Sequence, residues 1–305
     1  MTGNQLALLK REIWEHRSIY VTPLAIASIV TLGTLAMLVF AGGFAKELDI
    51  AIFGATNIAG DAERKVALTG FFVGTSWVFL LAAMVLTVFY TLDCLYAERK
   101  DKSILFWRSL PVTDAEAVIS KLLTAIVVIP VVTVAAIIAT HLVNLVVTSL
   151  WFSAKGADAG HLIWGSVPLF DNWFAALIVT LATAIWMSPF VGWLLFVSAF
   201  TKRSPLLMAF MPLVLIPLLE LIFLRSSVFA EAVFTRRGML PLFRGMDMEA
   251  FFDEKSLHVN EDIASLLAHL DVMQFLSSPS MWGGVIVCAL FVTAAIYVRR
   301  YRDES

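Results

Sequence analysis

The chain of 305 residues is 60% hydrophobic and only 15% charged, with a net charge of −2 and a mean hydropathy of +0.85. Soluble domains average about 45–50% apolar and about 25% charged, so the composition points to a polytopic membrane protein and speaks against a basic field that would gather nucleic acid. The two cysteines, Cys94 and Cys288, lie in or beside apolar runs without metal-ligand spacing, which argues against a disulfide scaffold and a zinc site.

The N-terminal stretch LALLKREIWEHRSIY spaces Leu6, Leu9, Ile13 and Trp14 on one helical face with charge opposite. This is the pattern of an amphipathic interfacial helix over residues 1–20, with a plain solvated tail as the alternative. No short apolar core with a small-residue cleavage site follows, so no removable signal peptide is expected. A hydrocarbon core of about 30 Å takes roughly 20 apolar residues to cross as a helix. Six stretches qualify: 21–42, 69–93, 121–150, 172–200, 205–224 and 281–298. Pro130, Pro189, Pro212 and Pro217 fall inside them and are expected as kinks. Gly70 and Gly74 form a GxxxG that lets helices approach closely. Between spans five and six, residues 225–280 hold two segments at helical spacing, VFAEAVFTRR and EDIASLLAHLDVMQFL. They predict a small helical extracytoplasmic cap.

Thirteen of the 22 lysines and arginines lie in the N-terminal tail, residues 94–121, residues 201–204 and the C-terminal tail. Only four lie in the short loops 43–68 and 151–171. By the positive-inside rule both termini and residues 94–121 are cytoplasmic.

That cytoplasmic segment is the most informative part of the sequence. Glu98, Arg99, Lys100, Asp101 and Lys102 come first, then Ile104, Leu105, Phe106, Trp107 and Arg108, and Pro111 closes the run. Thr113 followed by Glu116 has the form of a capping box that opens the next helix. Solvated charges account for Arg99, Lys100 and Lys102. Four adjacent apolar residues need somewhere to go: the headgroup region, or a groove on a partner, where aromatic anchors ringed by basic residues form hot spots.

Groups suited to chemistry at depth are few. His141 and Asn144 sit three apart in span three, Asp93 near the inner end of span two, and Glu220 near the outer end of span five. An interhelical hydrogen bond is the simpler role for His141 and Asn144, a substrate contact the other. No HExxH, GxSxG or Walker A sequence is present, so the chain by itself has no sequence for hydrolysing ATP.

Taken together, the N-terminal amphipathic helix, six spans, long last external loop and the segment ERKDKSILFWRSLPVTDAEAVISK (Glu98–Lys121) resemble a permease subunit of ABC-2-type exporters. The resemblance implies an all-α integral membrane protein: six transmembrane helices, an N-terminal interfacial helix and the small cap. It implies that Ser103–Leu110 is a coupling helix seated in a cleft of a separate ABC ATPase. Glu98, Arg99, Asp101, Lys102, Ile104, Leu105, Phe106, Trp107, Arg108 and Pro111 would form the coupling set. Phe106 and Trp107 would be its anchors, and Glu98 and Arg99 the hinge. It further implies two ATPase copies, a second permease (a copy or a sibling), no cofactor on this chain, and ATP with Mg on the ATPase. The setting would be a bacterial cytoplasmic membrane, with spans one, two and five lining the path of an amphipathic, lipid-like, drug or peptide cargo. His141, Asn144 and Glu220 are the polar candidates along that path. Two other classes stay open: a secondary carrier, and a membrane-embedded enzyme built on those three residues.

Overall fold

The computed structural model describes residues 2–41, 61–103, 112–156, 158–165, 169–234, 240–243 and 267–301. Regular structure among them is helical apart from one isolated antiparallel bridge, Phe243 to Leu270. Among the described residues six helices are long and apolar enough to cross a membrane.

Helix α1 (Thr2–Glu15) precedes the first span, α2 (Ser18–Ala41). Its expected lipid face is only partly right. Leu6 and Trp14 are exposed, with Lys10 Nζ 4.9 Å above the Trp14 ring, but Leu8 and Glu12 turn inward. The charged face is therefore not wholly solvated, because Glu12 meets cations from other helices.

The second span, α3 (Asp61–Lys100), is a single helix of 40 residues. At 1.5 Å per residue it is about 60 Å long, twice the hydrocarbon thickness. Phe72, Phe79, Leu86, Tyr90, Cys94 and Glu98 recur at spacings of seven and four and form its buried seam. Gly70 and Gly74 lie off that seam: a Cβ on either would meet nothing within 4 Å. The expected close approach is thus not made among the described residues.

Span three starts at the Thr113 cap, as the sequence predicts, ahead of the apolar run 121–150. Helix α4 (Asp114–Leu123) passes through a π-helical stretch, Thr124–Val128, into α5 (Ile129–Ala154). Pro130 explains the π turn. Its ring clashes with the carbonyl four residues back, and the wider turn lets the Ile129 N–H reach Thr124 O instead. The expected fourth span, 172–200, is two helices, α6 (Leu169–Trp186) and α7 (Ser188–Phe200). The break falls at Met187, where Pro189 in the first turn of α7 supplies no N–H to the preceding helix.

Span five is α8 (Pro205–Leu219) with Pro212 and Pro217 inside it, continued by a π stretch, Glu220–Leu224. It is followed by α9 (Val228–Phe234), within the first expected cap segment. The second cap segment is described only from Leu267; Glu261, Asp262, Ile263 and Leu266 lie outside the described residues. There a 3-10 turn (Leu267–His269) precedes α10 (Val272–Ser277), whose first turn is capped by Asp271 accepting from Gln274 N. Phe275 of α10 packs with Trp186, Leu242 and Met281, seating the cap on spans four and six. The sixth span is α11 (Pro279–Tyr301).

The main core joins Ile19, Leu86, Tyr90, Leu95, Val118, Ile129, Val191, Leu195, Cys288 and Ala295, so every span except the fifth and α6 contributes to it. Spans one and five are the least covered, with Ile29, Met37, Phe40, Val214 and Ile222 exposed. The closest helix crossing pairs α7 with α11. A Cβ at Gly192 would lie 3.0 Å from both Cα and the carbonyl oxygen of Cys288, and backbone does not yield as a side-chain tip does. Gly192→Val is expected to lower stability by about 1–3 kcal/mol through overpacking. Gly192→Ala should cost less, and thermal unfolding in detergent measures both.

Candidate coupling site at the charged end of the bundle

Span two ends and span three begins beside α1 and the last turns of span six. This end of the bundle gathers most of the protein's buried charge. At its centre is Glu98, 3% exposed on the last turn of α3. Its Oε1 accepts from Arg11 Nη2 at 2.8 Å and lies 3.0 Å from Lys121 Nζ; its Oε2 accepts from Arg299 Nη1. Three cations from α1, span three and span six thus converge on one carboxylate.

Lys121 is 1% exposed and also donates to Glu12 Oε1 at 2.9 Å. The other Glu12 oxygen takes the Tyr90 hydroxyl at 2.8 Å. Arg299 Nε donates to Asp114 Oδ1 at 3.0 Å, in the first turn of α4. Arg11, Lys121 and Arg299 therefore face Glu12, Glu98 and Asp114, and the formal charges balance. Balance decides whether such a cluster survives burial, since an unpaired buried ion costs several kcal/mol. His16 completes the edge: its ring lies edge-on to Tyr90 with centroids 4.9 Å apart. Burial holds the His16 imidazole below its ordinary pKa against the opposing pull of Glu12.

The exits from this joint are shaped by local geometry. Lys102 adopts φ 56, the left-handed conformation, directly after α3 ends, where glycine is the usual residue. Its N–H returns to Arg99 O at 3.1 Å and that of Asp101 to Ala97 O at 2.9 Å. Ser103 Oγ bonds Glu98 O at 3.3 Å, tying the outgoing chain to the central residue. On the return side the Thr113–Glu116 capping box forms as the sequence predicts. Thr113 N donates to Glu116 Oε2 at 2.9 Å, and Glu116 N to Thr113 Oγ1 at 3.2 Å.

Arg99 points the other way. Its guanidinium donates to the carbonyls of Ser198 and Thr201, the latter at 2.7 Å, at the C-terminal end of α7. Ser198 Oγ donates to Leu92 O at 2.8 Å and accepts from Tyr96 N at 3.0 Å. The inner end of span two is thus tied both to the charged joint and to the second half of the broken fourth crossing.

Of the expected coupling set, Glu98 and Arg99 occupy these ties, and Asp101 and Lys102 are exposed at the turn. Ile104, Leu105, Phe106, Trp107, Arg108 and Pro111 lie outside the described residues. The path candidates are elsewhere. His141 Nε2 meets Thr75 Oγ1 at 2.8 Å between spans two and three, and Asn144 Nδ2 donates to Thr140 O at 2.8 Å within its own helix. Glu220 accepts from Ser226 Oγ at 2.7 Å and Phe229 N at 2.9 Å, closing the first turn of α9. The three do not come together into one constellation. Among the described residues, no three His, Cys, Asp or Glu side chains form a metal-holding group.

Sequence reasoning missed Glu12, Lys121 and Arg299. The available signal was positional: each is a charge at the margin of an apolar run, on the helical face that carries the core residues Leu8, Val118 and Ala295.

Six apolar spans among the described residues, three of them joined with α1 by an ionic cluster, define a multi-pass helical membrane protein. A family model for ABC-2 family transporter proteins matches residues 66–230, more than half of the chain, and the chain belongs to that family. No curated protein and no solved structure matches it. As a member it is a permease, a transport subunit of an ABC transporter.

Two outcomes follow from the joint. Glu98→Gln and Lys121→Met each leave buried partners unbalanced and are expected to cost about 3–5 kcal/mol, whereas the double variant, neutral at both positions, should cost less than the two added; melting temperatures of the purified variants give the comparison. Lys102→Gly relieves a left-handed strain of about 1–2 kcal/mol and is expected to raise the melting temperature, while Lys102→Val lowers it.

Proposed function

We propose that this permease couples ATP hydrolysis on a separate ABC ATPase to the outward movement of an amphipathic, lipid-like, drug or peptide cargo. The observation that carries the reading is the anchoring of both ends of residues 101–113 in one ionic joint. Ser103 Oγ donates to the backbone carbonyl of Glu98, and Asp114 accepts from Arg299, which also donates to the Glu98 carboxylate. A segment rooted in this way passes a push on its apolar residues to spans two, three and six and to α1 together. Energy from ATP reaches the spans only through contacts that differ between two states, and a docked short helix on a rigid root supplies them. Ile104, Leu105, Phe106 and Trp107 are the docking surface in this reading, with Arg108 and Pro111 at its edge.

Both termini and the joint lie on the cytoplasmic side of a bacterial inner membrane, where two ATPase copies bind ATP and Mg. A second permease, a copy or a sibling, completes the complex. Spans one, two and five line the cargo path. In support, a groove of about 440 Å³ between spans one and two is bordered by Leu81, Ala82, Val85, Leu86 and Phe89, with Ser18 and Thr22 at its polar edge. Its apolar wall suits a lipid-like cargo better than an ion. His141, Asn144 and Glu220 would then act beside the path as structural groups rather than as a catalytic set.

The test is co-purification in mild detergent from the native cell, read by mass spectrometry. A soluble protein with Walker motifs is expected to accompany the wild-type chain. Phe106→Ala/Trp107→Ala should release it, consistent with a loss of about 2 kcal/mol or more for hot-spot anchors. An ATPase retained by the double variant would overturn the anchor assignment. Transport that survives ATP depletion with the proton gradient intact would favour a secondary carrier.

A further inference from the structure

The groove between spans one and two leads to a pair of opposite charges. Its base is Leu86, 7% exposed, with half-buried Ala82 beside it, and its rim is Leu81, Val85 and Phe89, all exposed. From Leu81 to Phe89 it follows α3 for about 12 Å. One leaflet of a bilayer offers about 15 Å of hydrocarbon, so the groove takes up most of a leaflet. Span one contributes Ser18 and Thr22, from its first two turns. Ile19, between them, packs in the core with Tyr90 and Cys94, which places the Ser18 end of the groove on the side of the ionic joint.

Arg17 immediately precedes Ser18 and is exposed; its carbonyl accepts from Val21 N at 3.0 Å, so it stands at the entry to the first turn of the span. Asp93 is exposed on α3. Ala82, Leu86, Phe89 and Asp93 succeed one another at spacings of four, three and four, which is one line along a helix. The carboxylate thus stands one turn beyond the apolar groove, on the same face. Asp93 also lies near enough to the turn between α1 and α2 for its charge to act on the His16 imidazole. Among the described residues no ion pair engages Arg17 or Asp93, and the exposed carboxylate of Glu15 is held by Arg11 Nε at 3.0 Å.

We propose that this groove is the binding site of one glycerophospholipid with an ethanolamine head. One acyl chain lies along Ala82 and Leu86, the phosphate meets the Arg17 guanidinium beside the Ser18 hydroxyl, and the primary ammonium meets the Asp93 carboxylate. Arginine matches the geometry and charge of a phosphate, and a carboxylate one turn past the groove selects a head that ends in a cation. Other membrane lipids answer less of the site. A glycerol head brings only negative charge and leaves Asp93 facing it. A choline head has no N–H to donate, and a free fatty acid answers Arg17 alone. The inference deepens the cargo reading and rests on it for the groove's place on the path: it names the lipid class that spans one and two admit, from the leaflet on the side of the ionic joint. Occupancy of the groove is a property of this chain and is tested without the ATPase.

Native mass spectrometry of the full chain reads the preference, with the chain released from micelles that hold equal amounts of dioleoyl phospholipids bearing ethanolamine, choline and glycerol heads. An ethanolamine lipid is expected to be retained above the other two. Asp93→Asn should reduce that preference roughly two- to fivefold, the worth of a surface ion pair, and Arg17→Gln should lower retention of all three lipids. Val85→Trp fills the groove from its exposed rim and should abolish the selective retention without lowering the melting temperature. Equal retention of the three lipids, a preference untouched by Asp93→Asn or by Val85→Trp, or recovery of a lipid-free dimer with a second copy against the groove would each overturn the proposal. If the preference holds and the assembled transporter does not move that lipid, the site stands and the cargo reading falls.

Discussion

One carboxylate sets the geometry of the charged end. Glu98 receives cations from three separate helices, and each of those cations has a second acidic contact: Arg11 with Glu15, Lys121 with Glu12, Arg299 with Asp114. Coulomb attraction in a low dielectric is large, but so is the cost of stripping water from each ion. A cluster of this kind is therefore a poor source of net stability. Its value lies in register. A leucine in place of Lys121 would tolerate sliding by a turn, whereas an ammonium held at 2.9 and 3.0 Å from two carboxylates does not. The joint fixes where α1, span two, span three and span six meet, at the point where residues 101–113 leave and return.

That register gives the rest of the architecture its logic. Span two is a helix about twice as long as the membrane needs, and its inner end is held on two sides, by the Glu98 cluster and by Arg99 on the carbonyls of α7. Span three absorbs Pro130 in a π turn instead of a hinge, so α4 and α5 stay continuous between the capping box and the far end. The crossing that does break, at Met187, belongs to α6 and α7 and not to span two or span three. Its second half packs backbone to backbone on α11 at Gly192.

The helical class, the six spans and the capping box were legible because each rests on local signals: apolar length, proline and glycine placement, and a Thr with a Glu three residues on. Glu98 and Arg99 were legible as the end of span two, where charge resumes after an apolar run. Their partners were not. Glu12 looks like one more polar residue on an amphipathic tail, and Lys121 like a flanking lysine free to reach the headgroups. Only the third dimension brings residues 12, 98, 121 and 299 to one point. The break at Met187 was visible as Pro189 but read as a kink, because sequence does not say whether neighbouring helices will support a bent helix or split it. Glu220 reads in the sequence as a carboxylate near the outer end of span five, and there it also caps α9, a role decided by where the chain turns at Arg225.

Closure of the ionic joint also bears on how such a permease transmits movement. A sensor would leave a charge waiting for a partner, so that the arrival of that partner changes the balance of states. Here Arg11, Lys121 and Arg299 are answered by Glu12, Glu98 and Asp114, with the exposed Glu15 as a further carboxylate on Arg11. The joint therefore behaves as a fixed root. In the coupling proposed above, the difference between states that any coupling requires would be made beyond it and expressed where the described spans are least packed. Spans one and five, with their exposed apolar faces, are those places. The division into a closed ionic root and loosely packed outer spans follows from where this sequence buries its charges and where it withholds them.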